Sequence, residues 1–172
     1  MLPLAHAALG LLAYAGVQLP RDWRAFTGTG VLAALLGSQF PDLVDKPLAY
    51  ADLIPSGRSV AHSLLLVGLL GVALYAAVPA EWRTEALGFW VAALVHPFAD
   101  ARHALLDGGF ADLPGYLLWP VTRAPRYGEH AAPWVRVLRI YSAPEFGTQT
   151  LLLVGAAGVL LAGRAAVALD AT

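Results

Sequence analysis

The chain has 172 residues, room for one domain. Apolar residues make up 58% and charged residues 13%, against roughly 45–50% and about 25% in soluble domains; with a mean hydropathy of +0.62 this points to an integral membrane protein. A net charge of -1 gives no footing for a nucleic-acid partner, and the lack of cysteine excludes disulfides and thiolate metal sites.

Five apolar segments follow one another. The first, residues 3–19, lacks a basic leader and carries His6, so it reads as a retained helix and not as a cleaved signal peptide. A polar turn, PRDWRAF (20–26), places Trp23 at an interface-like position. The second segment, residues 28–40, is short and holds Gly28, Gly30 and Gly37; it reads as a thin span or a helix shielded by its neighbours. The third is 61–78. A second turn, PAEWR (79–83), leads to the fourth, 85–101, and the fifth covers 149–169. A spanning helix needs about 20 apolar residues, within a range of roughly 17–25, and all but the second segment meet that length. The fold expected is all-α: a polytopic membrane helical bundle of about five apolar helices, one domain over 1–172.

Two connections are unlike the turns. The long one, 102–147, contains Gly108-Gly109, Pro114, Trp119-Pro120 and PWVRVLRIY (133–141). In that last stretch Val135, Leu138 and Tyr141 face the membrane and Arg136 and Arg139 the headgroups, the pattern of an amphipathic interfacial segment. The other joins the second and third segments. GSQFPDLVDKPLAYADLIPSGRSVAHS (37–63) carries Asp42, Asp45, Lys46, Asp52, Arg58 and His62, stiffened by Pro41, Pro47 and Pro55. Two carboxylates three residues apart, then an imidazole, look like half of a metal site.

Threading the segments as alternating spans puts the N-terminus, the 41–60 loop and the 102–147 loop on one side. That side collects Lys46, Arg58, Arg102, Arg123, Arg126, Arg136 and Arg139; the other collects Arg21, Arg24, Arg83 and Arg164. Seven against four places the 41–60 loop in the cytoplasm. The same threading brings His6, Asp42, Asp45, His62, His96 and Asp100 to one membrane face, which nothing in the charge count forces. His96 and Asp100 share a helix face at i and i+4, and His103 and Asp107 extend the stripe. Ionisable side chains in apolar segments are costly and mark functional sites by default.

Each of these residues has a plainer reading beside the chemical one. Asp42 fits a turn, Asp45 a brace to Lys46 or Arg58, His62 with Ser59 a helix start. His96 and His6 fit as packed interfacial histidines, and Asp100 as a partner of Arg102 or Arg58. Ser63 reads as a packing residue, His130 as solvated, and Trp119-Pro120 as an interface anchor. The shared membrane face favours the chemical reading for the set as a whole.

Mixed imidazole and carboxylate ligands suit Zn²⁺, Mn²⁺ or Fe²⁺. Three His and three Asp suffice for one ion, or for two sharing a bridging carboxylate, a common device for phosphoester hydrolysis. On this reading His6, Asp42, His62, His96 and Asp100 hold metal, Asp45 bridges or orients, and Arg58 clamps an anionic group of the substrate.

The pieces His6 with Gly10, GSQFPDLVD (37–45), RSVAHS (58–63), HPFAD (96–100) and LLWP (117–120) stand in an order that resembles the inner-membrane-associated metal-dependent hydrolases of the YdjM-like family. The resemblance covers the chain to about residue 120. It implies a helical membrane protein with a His/Asp metal site and hydrolytic activity, distantly like the zinc-dependent phospholipase C-type enzymes. Many members read Pro-Asp-x-Asp where this chain has Pro-Asp-Leu-Val-Asp-Lys, which puts Asp45 in question as a ligand more than Asp42. The expectation is a hydrolase of the inner (plasma) membrane, facing the cytoplasm, that acts with a divalent metal on a phosphoester or lipid headgroup among membrane lipids. The alternative is a non-catalytic membrane protein with a structural metal and a partner-binding loop.

Overall fold

The computed structural model describes residues 3–20, 28–107, 113–124 and 146–170, without the side chains of 103, 105, 107, 146, 148, 164 and 166–170. The expected interfacial segment 133–141, the 20–26 turn beyond Pro20, and the side chains of His103 and Asp107 lie outside that set.

The regular elements among the described residues are all helices, with no strand among them. Helix α1 is Pro3–Gln18, α2 Thr29–Tyr50, α3 Leu64–Ala77, α4 Arg83–Asp100, α5 the short Arg102–Asp107 and α6 Phe146–Asp170. Single 3₁₀ turns occupy Ala80–Trp82 and Gly115–Leu118. The all-α expectation holds, and the apolar segments coincide with the five long helices.

The extent of α2 departs from expectation. It runs ten residues past Phe40, through Pro41 and Pro47, so Asp42 and Asp45 stand on a helix and not in a loop. Each proline removes one i→i−4 hydrogen bond, yet the helix continues because its inner face is packed: Gly37, Ser38, Pro41 and Asp45 are all buried. The true connection is Ala51–Ser63. It ends where the Ser63 side chain accepts from the Leu66 amide, an N-cap that starts α3.

α4 is the central helix, packed against α1, α2 and α3. Its contact with α2 is backbone to backbone: a Cβ built on Gly37 would lie 2.0 Å from the Phe89 carbonyl oxygen. A Cβ on Gly10 of α1 would lie 2.9 Å from the Ser38 Cβ and 3.0 Å from that of Ala92. Small residues thus let three helices close on one another. Around that contact sits a core of Leu11, Tyr14, Ala15, Ala34 and Ala92. A second cluster, Ala101, Tyr116, Leu117 and Ala124, seats the Gly115–Leu118 turn beside the start of α3.

The expected spanning helices are not supported as such. Among the described residues no helix is long and apolar enough to cross a membrane. α1 and α3 have 16 and 14 residues, about 24 and 21 Å at 1.5 Å per residue, against a hydrocarbon layer of about 30 Å. α2 includes Asp42, Asp45 and Lys46. α4 includes Arg83, Glu85 and Asp100. α6 is longer, but its last turns lie beyond the described side chains.

Substituting Gly37→Ala forces α2 and α4 apart. Overpacking ordinarily costs about 1–3 kcal/mol; here the obstacle is backbone, so denaturant melts of the purified protein should give a loss of about 3 kcal/mol or more, while Gly68→Ala, in open space, should stay near wild type.

Candidate metal centre

Four pieces of the chain meet at one end of the α1–α2–α4 packing. α1 supplies His6, α2 Asp42, the Ala51–Ser63 connection His62, and α4 His96 with Asp100. The His6 and His96 rings stack with centroids 3.9 Å apart, and the His62 and His96 rings meet edge-on at 5.0 Å. Two groups have donor atoms all within 4.8 Å of one another: His6, His96 and Asp100; and Asp42, His62 and His96.

The ring nitrogens are sorted by their partners. His96 Nδ1 lies 2.6 Å from the Ser38 carbonyl oxygen. A carbonyl only accepts, so Nδ1 donates and Nε2 keeps the lone pair. His62 Nδ1 lies 2.9 Å from Asp45 Oδ2 and donates to it, which again leaves Nε2 as the acceptor. Both Nε2 atoms are buried without a hydrogen-bond partner, as is His6 Nδ1. Buried polar atoms are nearly always paired, and each exception needs a cause. An ion between these groups is such a cause, and a histidine whose far nitrogen is tied to a carboxylate or carbonyl is the usual form of a metal-ligating histidine.

The spacings fit. His62 Nε2 stands 3.7 Å from Asp42 Oδ1 and 3.7 Å from Asp100 Oδ2, and His96 Nε2 stands 3.8 Å from Asp42 Oδ1, whereas His6 Nε2 donates to Asp100 Oδ1 at 3.1 Å and leaves Nδ1 as the bare nitrogen of that ring. Donors sharing a zinc ion at about 2.0–2.1 Å sit roughly 3.3 Å apart in tetrahedral geometry. His96 Nε2 belongs to both groups, and one imidazole lone pair serves one ion. The groups are therefore overlapping parts of one donor set. The other Asp42 oxygen has a partner of its own, Lys46 Nζ donating to Oδ2 at 2.6 Å, while Asp100 Oδ2 also accepts from Arg58 Nε at 2.7 Å.

Of the two positions expected of Asp45, bridging or orienting, the geometry matches the second. Asp45 belongs to neither group. Its carboxylate, fully buried, accepts from the Ser59, Ala61 and His62 amides and from His62 Nδ1. Arg58 lies over the Tyr116 ring, 5.8 Å from its centroid, and its side chain is 32% exposed. Ser63 is used as a cap and donates to the Trp119 carbonyl, as its packing reading requires. Sequence reasoning passed over two participants. Ser38 acts through its carbonyl, which no side-chain pattern reveals. Lys46 reaches Asp42 at i+4, a signal visible only once α2 is known to continue past Pro41.

Burial opposes a charge on His62, but the carboxylates of Asp100, Asp45 and Asp42 outweigh it and hold the imidazole's pKa above its ordinary value.

An all-helical protein with a buried His/Asp donor set is the class that fold and geometry define. The chain belongs to the YdjM inner membrane protein family, whose model it matches over residues 1–169. Neither the curated proteins nor the solved structures contain a match to the chain.

The raised pKa of His62 sets a pH dependence for metal uptake. A proton on Nε2 competes with the ion until pH exceeds that raised value, so Zn²⁺ affinity should keep rising above pH of about 6.5, the ordinary imidazole midpoint. Calorimetric titrations at stepped pH should show proton release on binding. Removing the imidazole with His62→Ala should weaken binding and flatten the pH dependence.

Proposed function

We propose that the protein is a membrane-bound hydrolase that uses one divalent metal ion, zinc foremost, to cleave a phosphoester at the membrane surface. The observation that carries this is the convergence of three imidazoles and two carboxylates, with Nε2 of His62, Nε2 of His96 and Nδ1 of His6 buried and unpartnered. His6, Asp42, His62, His96 and Asp100 would hold the ion. Bound there, a divalent ion supplies an activated water near neutral pH and neutralises charge on phosphoryl oxygens. One ion is favoured over two, since His96, common to both groups, offers one lone pair and the second oxygen of Asp42 is held by Lys46.

The charge balance favours an anionic substrate. Asp42, Asp45 and Asp100 face Lys46 and Arg58, leaving one negative charge with the histidines neutral. A divalent ion reverses its sign. Arg58 and Lys46, with side chains 32% and 44% exposed, form the open rim, while His62, His96 and Asp100 lie beneath. Arg58, oriented by Asp100 and backed by Tyr116, would be the group to meet a phosphoryl oxygen.

The family's description gives the membrane location, and the surface supports it. α3 buries only Val67 and Gly71, leaving Leu65, Leu69, Leu70, Val72 and Leu74 exposed, and α6 exposes Leu151, Val154 and Leu161. Faces this apolar suit lipid contact.

The deep burial of the histidines favours one other reading, a structural metal that only ties the helix ends together. Activity separates the two. Zinc-loaded protein in detergent should hydrolyse p-nitrophenyl phosphate, bis(p-nitrophenyl) phosphate or a short-chain phosphatidylcholine, lose turnover on chelation and regain it on zinc addition. Arg58→Ala, measured at saturating zinc, should lower kcat/KM about 10- to 100-fold, as loss of a charged hydrogen bond worth about 1.5–3 kcal/mol implies. Protein that binds zinc, melts at lower temperature without it and turns over none of these esters would leave the structural reading.

A further inference from the structure

We propose that Asp45 is the positioning residue of this centre: its carboxylate fixes the backbone of 59–62 and the His62 ring together, so that Nε2 of His62 is presented to the metal as the bare acceptor. This rests on the metal-binding reading above but not on the hydrolytic one.

Four N–H groups converge on Asp45. Oδ2 accepts from the Ser59 amide at 2.7 Å, the His62 amide at 3.2 Å and His62 Nδ1 at 2.9 Å; Oδ1 accepts from the Ala61 amide at 2.9 Å. The residue is 0% exposed. Such a ring of amides stabilises an anion without a paired cation, and the neighbouring cations are engaged elsewhere: Lys46 with Asp42, Arg58 with Asp100. The site therefore needs two acceptor oxygens and no donor. Asn would turn an NH₂ group toward N–H donors. Glu is a methylene longer in a space with no slack.

The geometry also divides the labour of Pro-Asp-Leu-Val-Asp. Asp42 and Asp45 lie three residues apart on one side of α2. Asp42 Oδ1 faces the Nε2 atoms of His62 and His96, whereas Asp45 faces the outer nitrogen of His62. The first carboxylate belongs to the donor set and the second aims one of its histidines. With Nδ1 donating to a carboxylate, His62 is held in one tautomer and one ring orientation before any ion arrives.

The test compares Asp45→Asn with Ser56→Ala. Ser56 Oγ donates to the Arg58 carbonyl, so its loss loosens the same connection without touching His62. Asp45→Asn should weaken Zn²⁺ binding about 10- to 100-fold, the usual cost of losing the outer partner of a metal histidine. Ser56→Ala should lower thermal stability and leave affinity within about twofold, a difference a merely structural Asp45 would not produce. The second readout needs no variant: ¹⁵N–¹H correlation of the metal-free protein at alkaline pH should find the His62 hydrogen on Nδ1. Asp45→Asn binding zinc as tightly as wild type, or a His62 hydrogen on Nε2, overturns the proposal. Should Asp45→Asn fail to fold, the tautomer decides. Wild-type protein that takes up no metal overturns the metal-binding reading instead, a separate failure.

Discussion

The structure depends on how closely α2 and α4 approach. At Gly37 there is no room for even a Cβ against the Phe89 carbonyl. One residue on, the Ser38 carbonyl accepts from His96 Nδ1, 58 positions away in sequence. Packing and chemistry therefore meet at the same turn of helix. If the backbones stood further apart, His96 would lose the acceptor that sets its tautomer, and Asp42, one turn further along α2, would leave the reach of the imidazoles. Gly10 sets α1 against both helices and brings His6 onto the His96 ring.

The distribution of polarity is the reverse of a water-soluble bundle. Histidine, aspartate and serine fill the interior at the site end, while leucine and valine of α3 and α6 are turned outward. Burying this much polar surface costs several kcal/mol per group when it is left unpaired. Here most of these atoms have a partner: a carbonyl for His96, amides for Asp45, Lys46 for Asp42 and Arg58 for Asp100. The unpartnered Nε2 atoms of His62 and His96 both stand beside Asp42 Oδ1, where a cation would complete the set.

Much of this could be read in the sequence, and the reasons for the rest are physical. Long apolar runs marked all five helices, because apolar length survives any error in end placement. The gathering of His6, Asp42, His62, His96 and Asp100 followed from alternating their chain direction. What failed was local. Pro41 and Pro47 read as loop residues, since an isolated proline in a helix costs a hydrogen bond and a clash; tertiary packing on the buried face of α2 overrode that. Misreading α2 hid the Lys46–Asp42 pair and left open whether Asp45 bridges or orients. Its partners are backbone amides, which carry no side-chain signature. Spanning helices were expected from the length of the apolar runs; in the fold α1 and α3 are shorter than those runs, and α2 and α4 take in charged residues.

The account turns on one cation seated between His62 and His96. Crystals of zinc-loaded protein, measured on both sides of the zinc absorption edge, test it most directly. The account predicts a single anomalous peak within bonding distance of both Nε2 atoms and of the Asp42 and Asp100 carboxylates, with Asp45 Oδ2 still on His62 Nδ1. Zinc bound away from these histidines, or ligated by Asp45 itself, would contradict it.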